Sequence, residues 1–179
     1  MTMTKMKLMP ESNRYQLVIL AVLALAVAAA AAQPPSETDA QKAFASIKTL
    51  PGTWEQSLPN GKTLEVTFKV VSGGSAVMSE ILVPNEDMIS MIHLDGPNRL
   101  LLTHYCGAGN QPRMQADISP DGKTITFNYV DATNLSSPDA GHMTRMVLTM
   151  LDDNHHTEEW IFNDHGKVHK ELFDLRRKM

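Results

Sequence analysis

Residues 64–70, Leu-Glu-Val-Thr-Phe-Lys-Val, decide the fold, because apolar and polar side chains alternate along them without a break. Successive side chains of a β-strand point to opposite faces of the sheet, so this stretch predicts a strand with one buried and one solvated face. Residues 124–129, Thr-Ile-Thr-Phe-Asn-Tyr, show the same alternation. Both stretches indicate an antiparallel sheet that covers a core on one side only.

Similar short runs fill the chain after residue 52 and are separated by turn-forming residues, as in Pro-Asn-Gly at 59–61 and Pro-Asp-Gly at 120–122. The predicted strands are 53–58, 64–70, 76–82, 88–94, 99–106, 114–119, 124–130, 144–151, 156–162 and 167–174. Most connections are hairpin-short, so consecutive strands should pair, and closure removes the two free edges of such a meander. We therefore predict an all-β fold, an up-and-down antiparallel β-barrel of about 8–10 strands.

One short N-terminal helix precedes the strands in this prediction, over residues 37–48. Ala40, Phe44 and Ile47 recur there at helical spacing, and Pro51 and Gly52 follow as terminating residues. Residues 33–36 contain two prolines and are predicted to be a flexible lead into this helix. The barrel domain is then expected to span residues 37–179.

Residues 1–32 have the layout of a secretory signal peptide. Lys5, Lys7 and Arg14 precede the uncharged run 17–32, which ends in three alanines that suit signal peptidase. The run is shorter than the roughly 20 apolar residues of a spanning helix. We therefore expect export, cleavage near Ala32, a periplasmic or extracellular location, and a mature form without a membrane span.

The composition of the mature chain narrows the possible partners. Without residues 1–32, the chain keeps 13 Lys and Arg against 19 Asp and Glu, a net charge of −6. Nucleic acid and anionic membranes are therefore poor partners. Cys106 is the only cysteine, so no intramolecular disulfide can form, and stability must come from packing.

Gly52-Thr53-Trp54 opens the first predicted strand directly after the helix and resembles the Gly-x-Trp signature of lipocalins and related calycins. The resemblance implies a lipocalin-like barrel whose tryptophan packs across the closed end. In that superfamily an arginine after the last strand often covers the tryptophan, and Arg176 or Arg177 is the matching candidate.

Residues 104–114, His-Tyr-Cys-Gly-Ala-Gly-Asn-Gln-Pro-Arg-Met, also resemble a block found in uncharacterised exported bacterial proteins of lipocalin-like fold. That resemblance covers most of the mature chain and implies no activity. Fatty-acid-binding relatives hold a carboxylate with an Arg-x-Tyr pair, which does not occur in this sequence. Their mode of ligand binding is therefore not carried over.

The leading functional hypothesis is a carrier or sensor that binds a small apolar or amphipathic molecule, and a carboxylate is one candidate for the polar group of that molecule. The loop 107–113 is rich in hydrogen-bond donors, and its arginine would suit a carboxylate or phosphate, the alternative being an ion pair with an Asp or Glu. In strand 156–162, a glutamate and a tryptophan share one face. The predicted ligand-binding residues are His104, Tyr105, Asn110, Gln111, Arg113, Glu158 and Trp160.

A metal site or an enzyme is the second hypothesis. If Leu94 lies opposite Arg99, then His93, His104 and Cys106 share one face of the hairpin 88–106. Two imidazoles and a thiol suit zinc or copper, and a histidine could also activate the thiol as a nucleophile. The alternative is that these are satisfied core residues, and a one-residue slip in register would scatter the cluster.

Two further alternatives remain open. Haem-binding nitrobindin-like barrels use a histidine late in the chain as the axial ligand, and His169 is the candidate here. The third functional hypothesis is a non-catalytic envelope interaction module whose barrel interior is filled throughout. It predicts a negligible cavity.

Overall fold

The structure of the chain is a computed structural model, and it describes residues 36–83 and 86–179. The predicted signal peptide and all but the last residue of the predicted lead lie outside the described residues. No helix within the described part is long and apolar enough to cross a membrane.

Within the described residues one α-helix, α1, spans Asp39–Ile47, inside the predicted range 37–48. Thr38 begins it with a capping box: its hydroxyl accepts from the Gln41 backbone N–H at 3.2 Å, and the Gln41 side chain accepts from the Thr38 N–H at 2.9 Å. Its apolar face, which includes Phe44 and Ile47, is buried in the core. The helix therefore packs against the domain along the face that the sequence indicated.

All ten predicted strands are present, with ends that differ by up to three residues. Their bounds are β1 Gly52–Ser57, β2 Thr63–Val71, β3 Ala76–Val83, β4 Glu86–Leu94, β5 Leu100–Tyr105, β6 Gln111–Ile118, β7 Thr124–Thr133, β8 His142–Asp152, β9 His155–Asp164 and β10 Lys167–Arg177. Each strand pairs antiparallel with the next, and β10 pairs with β1 to close the barrel. The predicted all-β antiparallel barrel with one short helix is confirmed.

The closing seam between β1 and β10 is short. Only Trp54 with Arg177 and Glu55 with Arg176 are paired across it. At the next residue of β1, the contact to β10 is made by a side chain: the Gln56 side-chain oxygen accepts from the Asp174 backbone N–H at 3.0 Å. Residues 167–173 of β10 therefore have β9 as a neighbour on one side but no β1 partner on the other.

Trp54 fills the closed end of the barrel, where it is completely buried. Its indole N–H donates to the Leu50 carbonyl at 2.8 Å. The Arg177 guanidinium lies 4.2 Å from the centre of the Trp54 ring and donates to the carbonyls of Pro51 and Thr49. Of the two candidate arginines, Arg177 is therefore the one that covers the tryptophan.

The predicted register of the hairpin β4–β5 is wrong by one residue. Leu94 pairs with Leu100, not with Arg99, because Arg99 belongs to the connecting turn. There its carbonyl accepts from the Asp95 backbone N–H at 2.9 Å, and its guanidinium bonds the Asp95 carboxylate at 2.7 Å. His104 consequently pairs with Ser90 on the inward face.

Candidate ligand-binding cavity

A cavity of about 350 Å³ occupies the end of the barrel away from α1. It reaches from buried side chains such as Leu64 and Ile81 to exposed ones such as Glu86. Most of its lining is apolar: Leu58, Leu64, Ile81, Val83, Met88, Met143, Trp160, Leu172 and Phe173. The polar lining residues are Gln56, Glu86, His104 and Glu171. An apolar pocket with a few polar groups is typical of small-molecule sites, and this volume lies near the lower end of their usual range.

His104 is the buried polar group of this lining, and it has no exposed surface. Its Nδ1 lies 2.9 Å from the Ser90 hydroxyl, and its ring centre lies 4.7 Å from that of Trp160. Nε2 has no hydrogen-bond partner among the described residues. Burial lowers the pKa of His104 from 6.5 to about 4, so the imidazole is neutral at neutral pH.

A neutral imidazole has one N–H donor and one acceptor nitrogen. If the Ser90 hydroxyl donates to Nδ1, then Nε2 carries the proton and can donate to a ligand. If Nδ1 donates to Ser90, then Nε2 accepts. In either tautomer, one ring nitrogen is held by the protein and the other is available for a polar group in the cavity.

The open part of the seam forms one wall of the cavity. Gln56 and Leu58 line it from one side, and residues 171–173 of β10 line it from the other. Leu172 is 59% exposed and still borders the cavity, because no β1 residue pairs with this part of β10. The cavity is therefore bounded by a strand edge as well as by inward-facing side chains.

Glu158 lies beneath the cavity and fixes its Trp160 wall. The carboxylate is almost completely buried and accepts from the Trp160 indole N–H at 2.9 Å. Its second oxygen lies 3.4 Å from His156 Nε2, and the His156 ring packs edge-on against Trp54 at 4.3 Å between ring centres. Glu158 is not part of the cavity lining, so its contribution is to orient Trp160.

The loop residues predicted to bind a ligand contact neighbouring elements of the protein. Arg113 forms a bidentate ion pair with Asp131. The buried Asn110 donates to the Gly141 carbonyl at 2.8 Å, and Gln111 accepts from the Thr133 hydroxyl at 2.7 Å. Tyr105 is 46% exposed on the outer face. None of Tyr105, Asn110, Gln111 and Arg113 lines the barrel cavity.

Asn110 borders a second, more polar depression of about 570 Å³ between the loops at this end of the barrel. Ala108, Asn134, Asp164 and His165 are among its other lining residues. The Asn110 side-chain oxygen has no partner within the described part of the chain. The predicted loop 107–113 therefore lies beside the barrel cavity, and its role in ligand binding stays a prediction.

The residues of the predicted metal or thiol site are separated. His93 pairs with Leu101 on the outer face, whereas His104 points inward, so the predicted shared face is wrong. Burial raises the pKa of the Cys106 thiol, and Glu86 adds to the rise, while a backbone hydrogen bond at Ala108 opposes it. No hydrogen bond links His104 to Cys106 in the described residues, and a neutral thiol is a poor nucleophile.

Across residues 36–83 and 86–179, no three His, Cys, Asp or Glu side chains are grouped so that they could hold a metal ion. His169, the candidate haem ligand, is exposed on β10. The sequence prediction is that no cofactor is bound, with haem or a transition metal as the alternative, and both stay predictions.

Sequence reasoning missed Ser90, Glu86 and Glu171. Ser90 is a polar residue within the apolar strand β4. It was the available signal that the inward face carries a polar pair, Ser90 and His104. Glu86 begins β4 and Glu171 lies in the first half of β10, so the two residues are distant in sequence. Their proximity to one cavity depends on barrel closure, which has no local signal.

Comparison with known proteins supports the fold. No family model and no curated protein matches the chain. Among solved structures, the chain is similar to the crystal structure of Rv2717c from M. tuberculosis, with 16% sequence identity and a TM-score of 0.50. The match covers 76% of this chain and 98% of that one. At this identity, the likeness concerns the barrel fold alone.

Proposed function

We propose that the chain is an exported carrier or sensor that binds a small amphipathic molecule in the barrel cavity. The observation that carries the proposal is the His104 Nε2 atom, which is buried beside the cavity and has no partner among the described residues. His104 and Trp160 are the two sequence-predicted binding residues that line the cavity.

A buried polar atom without a partner costs about 1–3 kcal/mol, so such atoms are uncommon unless a ligand or an ordered water satisfies them. The rest of the deep lining is apolar and would accommodate a hydrocarbon or aromatic body. A ligand with one hydrogen-bonding group on an apolar body would satisfy both features. A barrel filled throughout would leave a negligible cavity, which does not agree with a volume of about 350 Å³.

Binding can be tested with N-phenyl-1-naphthylamine, a neutral fluorescent probe whose emission rises in apolar surroundings. The full chain is expressed in a bacterial host and purified in the form which that host produces, and the probe is titrated. Val83→Trp places an indole on the cavity side of β3, whereas Leu82→Trp places the same group on the outer side, where Leu82 is 39% exposed. We expect Val83→Trp to weaken binding by about tenfold or more, equivalent to about 1.4 kcal/mol, and Leu82→Trp to leave it unchanged.

If Val83→Trp and Leu82→Trp bind the probe with equal affinity, binding in the cavity is contradicted. It is also contradicted if neither His104→Phe nor Val83→Trp changes the affinity for the probe. The intact mass of the same preparation tests export separately. Loss of residues 1–32 agrees with the proposed signal peptide, and a full-length mass in an exported fraction contradicts it.

A further inference from the structure

The charged side chains that line the cavity are all acidic. Glu86 and Glu171 are the two, and no lysine or arginine is among the lining residues. Both carboxylates are exposed, whereas His104 at the deep part of the same cavity is fully buried. The cavity therefore combines a neutral polar group inside with negative charge at its mouth.

Glu86 is positioned by its contact with Gly107. A Cβ atom added to Gly107 would lie 1.4 Å from the Glu86 carboxylate oxygen Oε1, so the carboxylate occupies the space that any side chain at residue 107 would need. Gly107 does not have a positive φ, so its lack of a side chain matters here for this close approach. Glu86 thus lies between the loop after β5 and the cavity.

Glu171 approaches from the open seam. It pairs with Trp160 across β9 and β10, and its side of β10 is the one that faces the cavity. The adjacent Lys170 bonds Glu159 on the outer face. No described residue forms an ion pair with Glu86 or Glu171. Their negative charge is therefore left for a ligand.

We propose that the ligand of the cavity is a cationic amphiphile, with an apolar body inside and an amine or quaternary ammonium group at the mouth near Glu86 and Glu171. This inference rests on the proposed function and names its ligand class. It departs from the carboxylate that the sequence suggested, because an anion would meet two like charges and no cation in the lining. Because both carboxylates are exposed, the preference for a cation is moderate and decreases with salt.

The test uses three competitors that share a dodecyl chain: dodecyltrimethylammonium and dodecanoate below their micelle concentrations, and dodecanol below its solubility limit. Each displaces N-phenyl-1-naphthylamine from the purified full-chain product. At low salt we expect the trimethylammonium compound to bind about tenfold or more tightly than dodecanoate, with dodecanol between them. Added salt should reduce the differences in affinity among the three competitors.

Matched variants test whether the preference for the cationic competitor depends on Glu86 and Glu171. Glu86→Gln combined with Glu171→Gln should bring the three affinities together, whereas Glu159→Gln, on the outer face, should leave the order intact. Gly107→Ala should reduce the preference without removing a charge, because Glu86 must move. Tighter binding of dodecanoate, or a cation preference that survives in the double variant, would overturn the inference while leaving the cavity as a binding site. Failure of the wild-type protein to bind any of the four compounds would overturn the proposed function itself.

Discussion

Replacing His104 by glutamine is expected to make folding stability less sensitive to acid. Burial lowers the pKa of His104 in the folded protein to about 4, whereas the unfolded chain titrates near 6.5. Between these values, the unfolded state binds a proton at His104 and the folded state does not. Stability from this group is therefore complete above pH 6.5 and is lost as the pH falls towards about 4.

The size of the effect follows from the same two values. One pKa unit corresponds to about 1.4 kcal/mol, so lowering the pKa from 6.5 to about 4 corresponds to about 3 kcal/mol of stability lost across that range. Small domains are stable by roughly 5–15 kcal/mol, so this loss is large enough to measure. The His104→Gln variant cannot take up this proton and should not show this part of the acid sensitivity.

The assay is urea unfolding from pH 7 to pH 4 for the wild type, His104→Gln and Ser90→Ala. Other acidic and basic groups titrate in all three proteins, so their contributions cancel in the differences. Ser90→Ala removes the hydroxyl next to Nδ1 but keeps the buried imidazole, so it should be less stable at every pH and retain the wild-type acid loss. Parallel loss of stability in the wild type and His104→Gln would refute the reasoning, and an NMR titration of the His104 ring provides an independent measurement.

Two further substitutions test contacts below the cavity, and each is compared with the same substitution at the adjacent residue in the sequence. Arg177→Met removes the guanidinium over Trp54 and its hydrogen bonds to backbone carbonyls, so we expect a loss of about 2–4 kcal/mol in urea unfolding, and little change for the exposed Arg176→Met. Glu158→Ala removes a buried carboxylate, which leaves the Trp160 indole N–H without its acceptor and His156 Nε2 without its partner. The expected loss of unfolding free energy is about 3–5 kcal/mol, against less than about 1 kcal/mol for the outward Glu159→Ala. Similar losses in both members of either pair would contradict the corresponding contacts.

The strands and the helix could be predicted from the sequence because they depend on local properties. Alternation along residues 64–70 and turn residues such as Pro-Asp-Gly at 120–122 act within a few positions of each other. Short connections then make neighbouring strands pair, and the structure has this order around the whole barrel. The barrel therefore follows from many local preferences that agree.

The register of β4 and β5 could not be predicted in the same way. Pairing Leu94 with Arg99 placed His93 on the same face as His104, whereas the observed pairing of Leu94 with Leu100 separates them. In the structure, Ser90 is buried because it lies opposite His104, and each side chain gives the other a hydrogen-bond partner. Two polar residues on different strands can thus both be buried when they pair, although each alone would favour the solvated face. The five-residue turn that aligns these strands is stabilised by the Asp95–Arg99 contact.

Arg113 illustrates a second limit. Its position in a polar loop suggested a carboxylate ligand, and the structure provides a carboxylate from Asp131 on the neighbouring strand. The sequence allowed both outcomes, because the distance between residues 113 and 131 depends on how β6 pairs with β7. A bulge between Arg113 and Met114 determines which β7 residue lies beside the arginine.

The two tryptophans are held differently, and the cavity is lined by one of them, Trp160. Each indole N–H has a fixed acceptor: Trp54 donates to the Leu50 carbonyl, and Trp160 donates to Glu158. Trp54 is sealed by Arg177 at the paired part of the seam, whereas Trp160 faces the part where β10 has no β1 partner. The floor and one wall of the cavity are thus held in place before any ligand binds, which lowers the ordering cost of binding. A ligand too long for about 350 Å³ would therefore be accommodated at the unpaired edge of β10, because the deep side of the cavity is already packed and hydrogen-bonded.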